Sequence, residues 1–378
     1  MRLAINYNIR LEMLAIVFCF LVGCEQAHEL NTITIDVQEI ANVSVHECFD
    51  RIEVIPLDTK EDAFIKYIMK IIKYEDCYFI IDFNKHVYKI DGEGKFICEI
   101  GGIGRGPEEH LEVVDIQINE FTNNLELLMP RGRIDVFSTD GLYLESVPLD
   151  TYAHEFINIS EDLVLIHFSV GAYNLSFYSR SEGKVIAQEY PMEDEINKKI
   201  PLGDTAPIWQ WNGDVYFHSP FSNTIFKLNG KQLVQYYTLD CGEYNFDISN
   251  FSMETGLDRK QYNEKIRESK DIATYFHFHI ETDKFILKRF LNGDIENMPL
   301  FFFDKSTSTT RVFVDFVEGI RLPMLYHYDA KEEIVYAAVE PGDIQKHIFI
   351  GLLDEDDVEK LKNIEISDNP VLVAYHLK

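Results

Sequence analysis

The sequence predicts an all-β fold, a six-bladed β-propeller with a short helical insertion, and three observations lead there. Strand-forming residues dominate: 27 Phe and 20 Tyr stand among 378 residues, and β-branched residues gather in short runs. Gly, Asp, Asn and Pro separate those runs, as tight turns require. The third observation is one unit repeated along the chain. A single four-stranded meander has two apolar faces and cannot cover both, whereas meanders packed around an axis cover one another.

The clearest unit is Tyr78 to Ile100, YFIIDFNKHVYKIDGEGKFICEI: an apolar strand, a polar turn, an alternating strand, then Asp-Gly-Glu-Gly and a third strand. The second, Leu125 to Leu149, places Thr139-Asp140-Gly141 at the matching turn. Both put an Asp-Gly pair where a tight hairpin needs positive φ. Weaker copies begin at Leu163, Asp214, Lys284 and Glu333, so six units start 38 to 70 residues apart. That spacing suits blades of ~40 to 50 residues with insertions in the longer ones. Two strands lack a local hairpin partner, Arg51–Leu57 and Asn369–Leu377, and are expected to share and close the last blade. An alternating run, Thr32 to Val37, is either a further outer strand or a tether.

Two helices interrupt the pattern. Asp258 to Ala273 has Tyr262 and Ile266 four apart, charged neighbours and no Gly or Pro, and predicts a surface helix between the fourth and fifth units. Asp354 to Ile364 opens on four consecutive acids, Asp354 to Asp357, which suit the positive end of a helix dipole.

The first residues follow a different logic. Arg2 and Arg10 precede an apolar stretch from Met13 to Gly23 that stops at Leu21-Val22-Gly23-Cys24. A membrane span needs ~20 apolar residues, and this run is about half that, so a removable signal over residues 1–23 is expected. The tetrad resembles the bacterial lipobox, which implies cleavage before Cys24 and acylation of that cysteine. Residues 24–50 then become a lipidated tether with a first strand, and residues 51–378 the propeller. Acyl chains contribute ~0.8 kcal/mol per buried methylene, so several chains would hold the protein on a membrane.

Charge excludes one class of partner. The formal charge is −29, and losing Arg2, Arg10 and Glu12 with the signal leaves about −30. Nucleic acid binding requires a basic face that releases counterions, so no nucleic acid partner is expected. The acids are spread along the chain as a solubilising surface. Past the signal and Cys24, four thiols remain, Cys48, Cys77, Cys98 and Cys241, none in C-x-x-C spacing. An export compartment would allow their oxidation, with three possible pairings; burial as free thiols is favoured, because Cys77 and Cys98 sit in apolar strand-like runs.

The glycine-rich stretch Gly101 to Asn119, GGIGRGPEEHLEVVDIQIN, follows directly on a blade-like unit. It resembles the inter-blade signature of the six-bladed β-propeller lipoproteins of Bacteroidetes, relatives of NHL-type propellers. The Leu-Val-Gly-Cys start, the Ile55-Pro56-Leu57 strand and the Asn369-Pro370-Val371-Leu372-Val373 ending are similar to that group too. The resemblance implies a propeller in the cell envelope, at the outer membrane, from a family whose members generally lack an assigned reaction. One departure stands in the loop: the family pattern runs Gly-Pro-Gly-Glu-aromatic, and this chain has Gly106-Pro107-Glu108-Glu109-His110.

Chemical motifs are few. Gly101, Gly102, Gly104 and Gly106 fit neither G-x-G-x-x-G nor G-x-x-x-x-G-K-[ST], although backbone N–H groups beside Arg105 are a candidate anion nest. Asp354 to Asp357 lack the alternation and the glycine of a calcium loop. His277 and His279 share a strand face without a visible third metal ligand. Trp209 and Trp211 flank Gln210, point to one face of a strand, and form either a stacking platform or blade packing. Arg131 and Arg133 mark a turn in an acidic protein. The expected function is a lipid-anchored, non-catalytic binding or interaction module without a cofactor, with Arg105, Arg131, Arg133, Trp209 and Trp211 as candidate ligand residues. Its partners would be a glycan, a peptide or an envelope protein, and the membrane through Cys24. The alternative is a metal-dependent hydrolase, lactonase or lyase using carboxylates of the central channel, carried by fold analogy.

Overall fold

The computed structural model describes residues 32–59, 63–106, 108–130, 132–149, 151–168, 172–191, 207–219, 222–245, 264, 274–291 and 297–378. The expected signal sequence with Cys24, Arg131, and the expected helix over Asp258 to Ala273, Glu264 apart, lie outside the described residues. The chain begins with β1 (Thr32–Thr34), a helical turn α1 (Val45–Cys48) and β2 (Phe49–Pro56). Blade 1 then holds β3 (Ile68–Tyr74), β4 (Cys77–Asp82), β5 (Val87–Asp91) and β6 (Phe96–Glu99). Blade 2 holds β7 (Asp115–Asn119), β8 (Asn124–Met129), β9 (Arg133–Ser138) and β10 (Tyr143–Pro148). In blade 3 the strands are β11 (Glu155–Asn158), β12 (Leu163–His167), β13 (Tyr173–Ser179) and β14 (Lys184–Pro191). Blade 4 consists of β15 (Ile208–Trp211), β16 (Asp214–Phe217), β17 (Thr224–Asn229) and β18 (Gln232–Asp240). Blade 5 consists of β19 (Thr274–Glu281), β20 (Phe285–Leu291), β21 (Leu300–Asp304) and β22 (Thr309–Phe313). Blade 6 takes β23 (Leu325–Asp329), β24 (Ile334–Val339) and β25 (Val371–Leu377) from the end of the chain and β2 from its beginning.

The molecule is a six-bladed β-propeller. The first strand of each blade lies innermost: β3 touches β7 and β23, β7 touches β11, β11 touches β15, and β19 touches β23. The ring of Trp209 on β15, 4.4 Å from that of His279 on β19, completes the circle. Six apolar clusters sit between the blades, one at each interface. Inner strands are therefore covered on both faces, which is why β4 and β8 read as nearly unbroken apolar runs. Strand alternation places the links between blades and the turns from second to third strand at one end, the crossover end. The other hairpins lie at the opposite end.

Closure follows the expected pairing. β2 runs antiparallel to β25 from Phe49 opposite Leu377 to Pro56 opposite Val371. β1 is an outer strand, though of blade 4: it pairs in parallel with β18, Thr32 opposite Thr238. Ile40 then bridges Val312 on the outer strand of blade 5, so the N-terminal segment edges two blades before filling a third. At the Asp-Gly turn of blade 2, Gly141 has the positive φ expected, 89°. In blade 1 that role passes from Gly92 to Gly94, at φ 90°. The Asp91 carboxylate accepts the N–H groups of Glu93 and Lys95 and widens this turn, and a Cβ on Gly94 would lie 2.0 Å from the Pro56 carbonyl oxygen.

Between β24 and β25 the chain forms α2 (Ile344–His347) and α3 (Glu355–Lys362) at the crossover end. Asp354 caps α3 by accepting the Asp357 N–H at 2.8 Å, as the acidic run predicts. Lys360 donates to the Val54 carbonyl of β2 at 3.1 Å, tying the helix to the closing strand. Among the described residues no helix is long and apolar enough to cross a membrane. The four cysteines past Cys24 are free thiols, Cys48 and Cys241 buried, Cys77 and Cys98 half-buried.

Leu372 sits in the closing pair with no exposed surface. Leu372→Ala is expected to cost about 2–5 kcal/mol in urea unfolding, by cavity formation at the seam. Ile366→Ala, at a side chain 84% exposed, should change stability by less than ~0.5 kcal/mol.

Candidate functional site

The two tryptophans do share one face, and that face meets blade 5. Trp209 stacks on Tyr216, with ring centroids 5.7 Å apart and planes 13° apart, and Trp211 tilts against the same ring at 6.2 Å. From blade 5, the Lys288 ammonium nitrogen lies 5.0 Å above the Trp209 ring and that of Lys305 lies 4.8 Å above Trp211. Both tryptophans are half-buried walls of the interface. Sequence spacing fixed their common direction, and the lysines that cover them lie 79 and 94 residues further along the chain.

Glu281, at the end of β19, is the polar centre of this interface. Its Oε2 pairs with His279 Nε2 at 2.9 Å, and its Oε1 accepts from Lys305 at 2.9 Å and from the Tyr236 hydroxyl of blade 4 at 3.0 Å. Its backbone carbonyl accepts from the Tyr328 hydroxyl of blade 6 at 3.0 Å, so one residue links three blades. Burial alone would raise the Glu281 carboxyl, but His279 and Lys305 outweigh it and hold the group below the ordinary carboxylate value. Burial pushes His279 down to about 4 and Lys288 down to about 7; Glu281 opposes both shifts. Lys288 is 2% exposed, a lysine the fold holds at the cost of its charge.

Similar knots join other blades. Between blades 2 and 3, Arg180 donates to both oxygens of Glu126, at 2.9 and 2.7 Å, and to Asn158 Oδ1 at 2.8 Å. Asn119 and Asn158 donate to the same carboxylate. Between blades 1 and 2, Lys70 pairs with the buried Asp115, whose other oxygen accepts the Phe156 N–H of blade 3 at 3.1 Å. Burial still pushes the Asp115 carboxyl up, against the pull of Lys70. These buried carboxylates already have partners. Among the described residues, no three of His, Cys, Asp and Glu gather as a metal site.

The glycine-rich loop lies at the crossover end. Gly104 donates to the His110 carbonyl at 3.0 Å, and Gly106 donates to the Glu109 carboxylate at 2.7 Å. The N–H groups that an anion nest would use thus point into the loop. His110, where the family pattern has an aromatic ring, is buried and its Nε2 lies 3.0 Å from the Lys85 carbonyl of blade 1. Arg105 is exposed beside it. Arg133 is pinned, with Nε on Asp135 at 3.0 Å and Nη2 on the Glu109 carbonyl at 3.1 Å. Around this end the loops expose large apolar side chains: Phe64, Tyr67, Phe83, Ile103, Leu111 and Tyr152 are 42–69% exposed. The opposite end exposes far fewer, Phe121 and Leu142 among the described residues.

A family model described as a domain of unknown function matches residues 30–376. The chain belongs to the DUF4934 family. No curated protein matches the sequence. Among solved structures, this DUF4934 chain is similar to a Bacteroides fragilis protein provisionally described as exported, with a TM-score of 0.74 and 16% identity over 92% of this chain and 100% of that one. It is also similar to a DUF4221 family member from Bacteroides vulgatus, with a TM-score of 0.51 and 8% identity over 87% of this chain and 98% of that one. At such identities the likeness shows the fold that the DUF4934 chain shares with them.

Sequence reasoning missed Glu281, Lys288 and Lys305, because a carboxylate and a lysine on strands and a lysine at a turn read as solvated positions until the fold brings blades together. It also missed the exposed rim, since Phe and Tyr in loops look no different from those in the core. For Lys288 the sign of the pH effect is definite. The native state releases its proton near pH 7, the unfolded chain keeps it to about 10.5, and the unfolded state therefore binds more protons in between. Lys288 by itself therefore destabilises the native state less as the pH rises across that window, by on the order of 1.4 kcal/mol per pKa unit. Lys288→Met should unfold at higher urea than wild type at pH 6.5, with the gap narrowing by pH 9.5; a constant gap would contradict the assignment.

Proposed function

We propose that this propeller is a non-catalytic binding module of the cell envelope, anchored through acylated Cys24 and engaging a glycan, peptide or envelope protein with its crossover end. The observation that carries this reading is the concentration of exposed aromatic and aliphatic side chains in the loops of that end, on a protein whose overall charge is −29. Contiguous exposed apolar surface costs solubility, and it persists where a partner uses it. The buried carboxylates support the same reading from the other side. Asp115, Glu126 and Glu281 are held by Lys70, Arg180 and Lys305, so their charges are engaged in joining blades.

The Leu-Val-Gly-Cys tetrad supports the anchor, and the similar Bacteroides fragilis protein described as exported supports the location. A NHL-like kinship and an outer-membrane position belong to the same reading. Wild-type protein expressed in its host is expected in the membrane fraction, and Cys24→Ala in the soluble fraction; a variant that stays with membranes would remove the anchor. In a thermal-shift screen of the mature chain, glycans or peptides are expected to raise the melting temperature while calcium and zinc leave it unchanged. Stabilisation by a divalent ion alone would favour a metal-dependent hydrolase or lyase instead.

A further inference from the structure

The crossover end of blade 1 has a chemistry of its own. Phe83 donates its N–H to the Tyr67 carbonyl at 2.8 Å and to that of Lys66 at 3.0 Å, so the loop into blade 1 and the turn between β4 and β5 lie side by side. The Lys85 side chain reaches Met69 Sδ at 3.0 Å, and the Lys85 carbonyl meets His110 of the glycine-rich loop. His110 in turn donates its N–H to Gly102 at 3.0 Å, two residues before Gly104-Arg105. A continuous patch results, carrying Tyr67, Phe83 and Ile103 at 69%, 63% and 42% exposure. Tyr67 holds a φ of 56° with its ring in solvent, an unfavourable backbone state that no burial of the side chain offsets.

The patch also carries cations. The chain has 64 acidic and 35 basic residues, so cations grouped without ion-pair partners set a place apart. Among the described residues, the side chains of Lys66, Lys85 and Arg105 have no ion-pair partner; the same holds elsewhere for Lys73, Lys231, Lys284, Lys288, Arg289 and Lys346, but only here do three such cations stand beside exposed aromatic rings. The acids nearby are engaged or lie beyond Arg105: buried Asp82 accepts the Lys66 and His86 N–H groups, Glu99 pairs with His86 at 2.7 Å, and of Glu108, Glu109 and Glu112 the second is turned back onto the Gly106 N–H. Open aromatic faces next to unpaired cations complement a ligand with apolar C–H faces and negative groups. Sugar rings present those faces, and uronic or sialic acids add the carboxylate that a lysine or an arginine fork receives.

Resting on the binding reading above, we infer that the crossover end of blade 1 is a carbohydrate site for sugars that carry carboxylate groups. Tyr67 and Phe83 supply the stacking surfaces, and Lys66, Lys85 and Arg105 receive the carboxylates. The contact is local, because beyond about 8 Å the acidic remainder of the protein is screened at physiological salt.

Calorimetry of the purified mature protein against hyaluronan, polygalacturonate and polysialic acid tests it, with dextran and poly-L-glutamate as controls. At least one acidic polysaccharide is expected to bind, more weakly as salt rises, and dextran not to bind. Tyr67→Ala and Phe83→Ala should each raise Kd about threefold to tenfold, and Lys66→Glu with Arg105→Glu should abolish binding. These side chains are exposed, so unfolding midpoints should stay at the wild-type value. Binding of none of the three polysaccharides, or binding that all variants leave intact, overturns the site. Equal binding of poly-L-glutamate overturns the carbohydrate assignment and leaves the binding module standing. Silence towards these polymers and towards every ligand of the thermal-shift screen removes both.

Discussion

A sheet with two apolar faces has to be covered on both, and in this protein each sheet is covered by its neighbours in a circle. The six interface clusters express that constraint directly, since residues such as Ile80 on one face of blade 1 and Phe79 on the other belong to different clusters. No blade is a stable unit alone. The circle in turn depends on one antiparallel seam, β2 against β25, where Val54 and Val373 face each other without exposed surface. Without that seam, blade 6 would have three strands and an open edge, and the interfaces on either side of it would lose their cover.

Polar groups enter the interfaces only under compensation. Glu126 with Arg180 and Glu281 with His279 and Lys305 sit where two or three blades converge, and each carboxylate has its oxygens filled by donors. Removing one partner from such a pair strands a buried charge, which costs more than the pair contributes. Orientation between blades is therefore fixed by directional contacts laid over a non-directional apolar fill. Unusual protonation in this fold consequently marks architecture: His279 and Lys288 are shifted by burial between blades.

Much of the fold was legible because its determinants are local. Hairpin turns announce themselves through Asp140-Gly141, the capped helix through Asp354 to Asp357, and the closing strands through their lack of a neighbour with a turn between. Even so, the Asp91-Gly92 turn moved its positive φ to Gly94, because the proximity of the Pro56 carbonyl is a tertiary fact. That β1 would edge blade 4 was hidden for a similar reason: an alternating run shows that a strand has two faces and says nothing of which edge it will find. The candidate site was less legible. Arg105 was visible as an odd cation in an acidic chain, but Tyr67 and Phe83 acquire meaning only once folding leaves them uncovered.

The seam also orders events in time. Synthesis delivers β2 early and β25 more than three hundred residues later, so the edge of β2 waits unpaired until β25 has been made. Contacts of such separation are slow to form, and a waiting strand is open to pairing with the wrong chain. A polypeptide lacking only its final seven-residue strand would keep nearly all its mass and lose its ability to finish folding. The ring thereby closes only on a chain that carries both strands of the seam.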